Sequence, residues 1–216
     1  MRQKLIIILV TASIITCNTQ GSDKPTMYIN NTEAGKSKKN SIAILPFKGV
    51  DSILIKELEN GLQKHLVVEI SILTEKALPV SAFYKPKQRY LADSLLVFLR
   101  ETNNSLFEKI IGITAKDIST RKGDVENWGI LGLGSCPGEA CVISTFRAGR
   151  NKVSYTGFLR RLITLALHEL GHTYGLEHCS VRTCLMKDAE GKMNLDDADS
   201  YCSVCRNYLA GKGILK

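Results

Sequence analysis

An α/β domain, a mixed sheet packed on helices, is predicted by three features of this sequence. Short β-branched runs alternate along the chain with segments whose apolar residues recur at helical spacing. A length of 216 residues suits one well-buried domain and would cramp two. The composition, 44% hydrophobic and 23% charged, is that of an ordinary globular protein and argues against a disordered or polytopic membrane chain.

The elements follow in order. Residues 41–47 (SIAILPF) read as a short strand closed by Pro46, and Asp51 can cap a helix bearing Leu54, Leu58, Leu62 and Leu66. Residues 67–73 alternate and are β-branched, which predicts a strand. Residues 90–100 (YLADSLLVFLR) are helical in pattern, and residues 110–114 form a buried strand. Two further strands are expected at 128–133 and 140–145. Cys136-Pro137-Gly138-Glu139 between them supplies turn chemistry for a hairpin, across which Cys136 and Cys141 suit a disulfide. A long apolar helix then begins near Thr156 or Gly157 and runs through Leu159, Leu162, Leu165 and Ala166. The acidic run at 188–199 lacks the ligand spacing of a calcium loop and is expected to be solvated.

The first residues have a different character. Arg2 and Lys4 precede an almost unbroken apolar run at 5–16, the dimensions of a secretory signal and too short for a membrane span of about 20 residues. The run ends in Ile14-Ile15-Thr16-Cys17, which resembles a bacterial lipobox, with Thr16 where the pattern usually has a smaller residue. The organisation expected is a signal peptide at 1–16, a polar tether at 17–40 after a lipidated Cys17, and one domain at 41–216. The protein would then be exported to a bacterial cell envelope and held at a membrane; the alternative is a plain signal peptide with an incidental cysteine. The formal net charge of +8 is scattered, with no basic stripe interleaved with aromatics, so no nucleic acid partner is expected. A monomer is expected.

Three of the chain's four histidines fall in residues 168–178 (HELGHTYGLEH). On a helix, His168 and His172 project from one face a turn apart, a spacing at which two imidazoles reach one Zn²⁺. Glu169 is rotated away from that face, placed to act on water rather than to ligate. Gly175 can end the helix in a left-handed conformation and let the chain return His178 as the third ligand. Three protein ligands leave the position that catalysis needs; a purely structural site normally has four. The cysteines Cys179, Cys184, Cys202 and Cys205 follow, the last two as C-x2-C, and four thiolates would hold a second, closed zinc. After export they could instead form two disulfides in any of three pairings.

Taken together, H-E-x-x-H-x-x-G-x-x-H-C, then C-x-M and C-x-x-C, resembles the archaemetzincins, a branch of the metzincin metallopeptidases. The likeness covers residues 168–205 closely and extends upstream through Ile111-Gly112-Ile113-Thr114-Ala115-Lys116-Asp117. The spacer of fifteen residues between Met186 and Cys202 is somewhat short for the family, and an export signal is unlike its familiar intracellular members. The resemblance implies a twisted mixed sheet on helices with a zinc-stapled C-terminal segment. It implies catalytic zinc on His168, His172 and His178, Glu169 as general base in hydrolysis of a peptide or protein substrate, and Met186 in a Met-turn below the metal. It also implies structural zinc on the four cysteines, and a strand at 128–133 alongside the substrate. Two other readings are a catalytically silent zinc-binding lipoprotein and, weaker, a zinc-ribbon-like nucleic acid binder.

Overall fold

The structure, a computed structural model, describes residues 38–151, 153–188, 195–198 and 200–216. The expected signal segment, Cys17 and all but the end of the expected tether lie outside the described residues. Strand β1 (Lys38–Pro46) starts inside that expected tether, where Lys38 already pairs with Phe107. Helix α1 (Ser52–Gln63) begins as predicted, with the Asp51 carboxylate accepting from the Ile53 amide at 2.9 Å. It stops short of Leu66, which packs from the turn that follows and bridges to Leu215. Strand β2 (Glu69–Ile72) lies parallel to β1.

Strands β3 (Phe83–Tyr84) and β4 (Arg89–Leu91) precede helix α2 (Ala92–Asn103). Strands β5 (Phe107–Thr114), β6 (Ile118–Lys122), β7 (Val125–Ile130), β8 (Gly132–Gly134) and β9 (Ala140–Ser144) follow. Helices α3 (Thr145–Ala148), α4 (Tyr155–Thr173) and α5 (Ser203–Gly211) complete the order. Among the described residues no helix is long and apolar enough to cross a membrane.

Two sheets result. The larger has the order β2-β1-β5-β9-β8, parallel except for the antiparallel β8–β9 edge. Its alternating side chains feed two cores. Ile42, Ile44, Ile111, Ile113, Cys141 and Ile143 face α1 and α4, while Ala43, Leu45, Ile110, Ala140 and Val142 face α2. Near-continuous apolar strands are what a sheet covered on both faces requires. Helices α1 and α4 cross closely at Gly61, where a Cβ would stand 2.3 Å from Ile163 Cδ1. The smaller sheet has the order β3-β4-β6-β7, and β7 is one of its edges.

The expected hairpin forms, with β8 antiparallel to β9 across residues 135–139, but its first strand needs correction. Residues 128–134 do not form one strand: up to Ile130 they pair with β6 in the smaller sheet, and from Gly132 they pair with β9 in the larger. The chain passes between sheets at Leu131, whose carbonyl accepts from the Ser144 amide at 2.8 Å. The expected disulfide is corrected as well, since Cys136 and Cys141 are free thiols. Cys141 points from β9 into the core, whereas Cys136 is exposed with its Sγ 3.5 Å from the Leu176 carbonyl. The acidic run is not wholly solvated either. Asp196 accepts from buried Arg161 at 2.8 Å (Nε) and 2.5 Å (Nη2), and Leu195 and Ala198 are buried.

Candidate active site and metal centres

Helix α4 is apolar on the faces that meet the sheet and α1, so burial fixes its rotation and with it the direction of His168 and His172. Its last turn closes as a Schellman motif. The Leu176 amide donates to the Gly171 carbonyl at 3.0 Å and the Gly175 amide to His172 at 2.8 Å, with Gly175 at φ +98°. A Cβ would strain that left-handed position, and the reversal it permits carries His178 back over the helix.

The three rings converge. Their centroids are 4.7 Å (His168–His172), 4.9 Å (His172–His178) and 5.5 Å (His168–His178) apart. The Nδ1 atoms of His168 and His172 lie 2.6 Å from the Leu185 carbonyl and 2.7 Å from the Leu176 carbonyl. A carbonyl can only accept, so each Nδ1 carries the proton and each Nε2 keeps its lone pair. Those two Nε2 atoms stand 3.1 Å apart, close to the ~3.3 Å between two ligands about 2.0 Å from a tetrahedral ion. Burial, then the neighbouring His172, pulls His168 down to about 4, and burial lowers His172 too. Both are therefore neutral at neutral pH, the form that ligates. His178 is half-exposed, its Nδ1 3.7 Å from the Asp188 carboxylate. The donor set, the tautomers and the spacing all fit zinc.

Glu169 lies elsewhere on the helix, 5% exposed and turned against β8. The Gly134 amide donates to its carboxylate. A Cβ on Gly132 would come within 2.6 Å of Glu169 Oε1, and one on Gly134 within 2.6 Å of the Glu169 carbonyl. Only glycine lets the strand and helix approach this closely. Burial pushes the carboxyl up to about 8 against the pull of the Gly134 amide. A divalent cation among the imidazoles would favour the ionised form. Neither glycine was singled out from the sequence; the G-x-G spacing at 132–134, with both glycines on one face of a strand, was the available signal.

Met186 is fully buried, and its Sδ would be 2.4 Å from a Cβ on Gly171, the residue before His172. The turn that holds Met186 also supplies the Leu185 carbonyl that orients His168. Sequence reasoning also passed over Lys109. Its Nζ donates to Gly138 at 2.8 Å and to Thr173 at 3.0 Å, tying the β8–β9 loop to the end of α4, where the helix dipole favours a cation.

The ligand atoms of Cys179, Cys184, Cys202 and Cys205 lie within 4.8 Å of one another, and all four are free thiols. Sγ of Cys179 and Sγ of Cys202 are 3.8 Å apart, the separation expected of roughly 2.3 Å Zn–S bonds at a tetrahedral centre and far beyond a disulfide. Cys202 caps α5, and the Cys205 amide leads in pulling its thiol down to about 7, as thiolate ligation requires. The cluster could hold a metal. It pins α5 beside the active site, and Tyr201 adds a hydrogen bond from its hydroxyl to the Leu167 carbonyl at 2.7 Å.

Above the imidazoles opens a cleft of about 660 Å³, lined on one side by residues 128–134 and on the other by α4 and Leu185. Three converging imidazoles that leave a coordination position open, beneath the edges of two sheets, suit hydrolysis of an extended chain. The profile of peptidase family M54 matches residues 46–210, and with it the class is defined: the protein is a zinc metallopeptidase. The chain belongs to that family, whose curated relatives among its matches are archaemetzincins. The archaemetzincin of Methanopyrus kandleri is 28% identical over 160 residues, 73% of this chain and 87% of that one. That of Haloarcula marismortui is 28% identical over 177 residues, 78% of this chain and 99% of that one. The crystal structure of the Archaeoglobus fulgidus archaemetzincin complexed with malonate superposes with a TM-score of 0.67 at 26% identity, covering 78% of this chain and 99% of that one.

Proposed function

We propose that this metallopeptidase carries two zinc ions, one catalytic on His168, His172 and His178 and one structural on the four cysteines, with Glu169 as general base. The observation that carries the reading is the position of Glu169, buried against β8 beside the imidazoles with its carboxylate held by the Gly134 amide. Zinc on three imidazoles would supply a water of pKa about 7 and polarisation of the scissile carbonyl. Glu169 takes a proton from the attacking water and returns it to the leaving amine. The free edges at residues 128–134 pair with the extended substrate backbone and hold the scissile bond over the imidazoles. Met186 supports the floor below them.

The proposal includes export and a lipid anchor at Cys17, supported by the cationic start and the apolar run ending at a lipobox-like sequence. One preparation of mature protein from a bacterial host tests these points. Metal analysis is expected to give two zinc ions per chain, a peptide library to be cleaved, and intact mass to show a lipidated chain starting at Cys17. Zinc without cleavage of any peptide would favour the silent lipoprotein, and an unlipidated start at another residue would remove the anchor.

A further inference from the structure

Part of the cleft is not used by the chemistry above. Among the described residues, Arg121, Lys122, Arg147, Arg150 and Lys187 line it, against two acids, Glu169 and Asp188, which both stand at the histidines. Four of the five cations belong to one wall, made by β6, β7 and the end of α3. Behind that wall, two guanidiniums converge on one carboxylate. Asp117 accepts from Arg89 Nε at 2.7 Å and from Arg147 Nε and Nη2 at 2.6 and 2.9 Å. Asp117 is 10% exposed and Arg147 17%, so the group is largely dry and keeps one uncompensated positive charge. Gly129 lets the Arg147 guanidinium reach the cleft, since a Cβ there would fall 1.9 Å from its Nη2.

A pair built only to tie α3 to the smaller sheet would need one arginine per carboxylate. Here a second is added, and Arg121, Lys122 and Arg150 extend the same sign over the neighbouring surface. The Lys122 ammonium lies over the Trp128 ring at 5.4 Å and the Arg150 guanidinium over Phe146 at 5.2 Å, contacts that hold the two charged ends at the cleft wall.

We infer that this wall is a carboxylate-binding subsite, and that the enzyme selects peptides presenting a carboxylate there. The inference rests on the peptidase reading for its use, but the subsite consists of the chain's own side chains and acts in binding without turnover. The carboxylate comes from an acidic side chain or from the substrate's free C-terminus; the chemistry of recognition is the same.

The test uses one peptide frame in four forms, with Glu or Gln internally and a free or amidated C-terminus. Binding is measured by fluorescence anisotropy on the slow-cleaving Glu169→Gln protein, and kcat/KM on the wild type, at low and high salt. The expected result is a preference of roughly tenfold for a carboxylate form over its amide, weakened by salt. It should shrink to about twofold or less when the exposed pair Arg121→Gln and Arg150→Gln is introduced. Which form carries the preference identifies the source. Equal binding of all four forms, or a preference that survives in the double variant, would overturn the subsite. Cleavage without preference removes the subsite and keeps the peptidase; preferential binding without cleavage does the reverse.

Discussion

Replacing Glu169 with Gln is expected to leave zinc content and thermal stability near those of the wild type while lowering peptide turnover by about 10²–10⁴-fold. The side chain is 5% exposed and packed between Gly132 and Gly134, so its shape must be kept and Gln keeps it. The hydrogen bond from the Gly134 amide also survives, because a Gln carbonyl oxygen accepts as a carboxylate does. What the substitution removes is basicity. Zinc stoichiometry and kcat, measured together, check this. A variant that cleaves as fast as wild type would assign the base to another group, and one that loses histidine-bound zinc would make Glu169 a ligand.

Cys202→Ser is expected to act in the opposite sense, on the fold before the chemistry. One of four clustered thiolates is lost, zinc content should fall by about one per chain, and the thermal midpoint should drop by on the order of 10 °C or more. The size follows from what the cluster joins. Cys184 precedes Leu185, whose carbonyl orients His168, and Met186, which packs on Gly171; Cys202 and Cys205 open α5. Loss of the staple frees the turn below the active site, so activity declines with stability. Unchanged zinc content and an unchanged midpoint would remove the structural metal from the account.

The contrast between these two variants reflects how differently the parts of the site were written in the sequence. The two clusters that could hold metal were legible because both are local: four-residue spacing on a helix, a glycine reversal and a C-x2-C pair need no knowledge of the rest of the chain. The long elements were legible for the same reason, since α1, α4 and the core of β5 carry strong periodicity over many residues. Strands β3, β4 and β8 span two or three residues each, too short to carry a period, and the smaller sheet went unseen with them.

What remained hidden was set by contacts between distant segments. Gly132 and Gly134 matter because Glu169 arrives against them from a helix more than thirty residues on. Lys109, Asp117 and Arg147 are ordinary charges in sequence and become specific only when β5 meets the end of α4 and the turn before β6 meets α3. The Cys136–Cys141 expectation failed on a related point. Sequence distance brought the two thiols together, while strand alternation turned Cys141 into the core. The acidic run misled similarly, because composition could not show that buried Arg161 waits for Asp196.

The central claim is that histidine-held zinc makes this cleft a peptidase. The most direct measurement is zinc add-back to metal-stripped protein, following cleavage of a peptide substrate in the wild type and in His172→Ala at equal cysteine-site occupancy. Cleavage by the wild type should vanish on stripping and return in proportion to zinc bound beyond the cysteine site, reaching its plateau at about one further equivalent. The His172→Ala protein should bind only the cysteine-held ion and stay inactive. Cleavage that persists in the stripped wild type, or that zinc restores equally in His172→Ala, would contradict the claim.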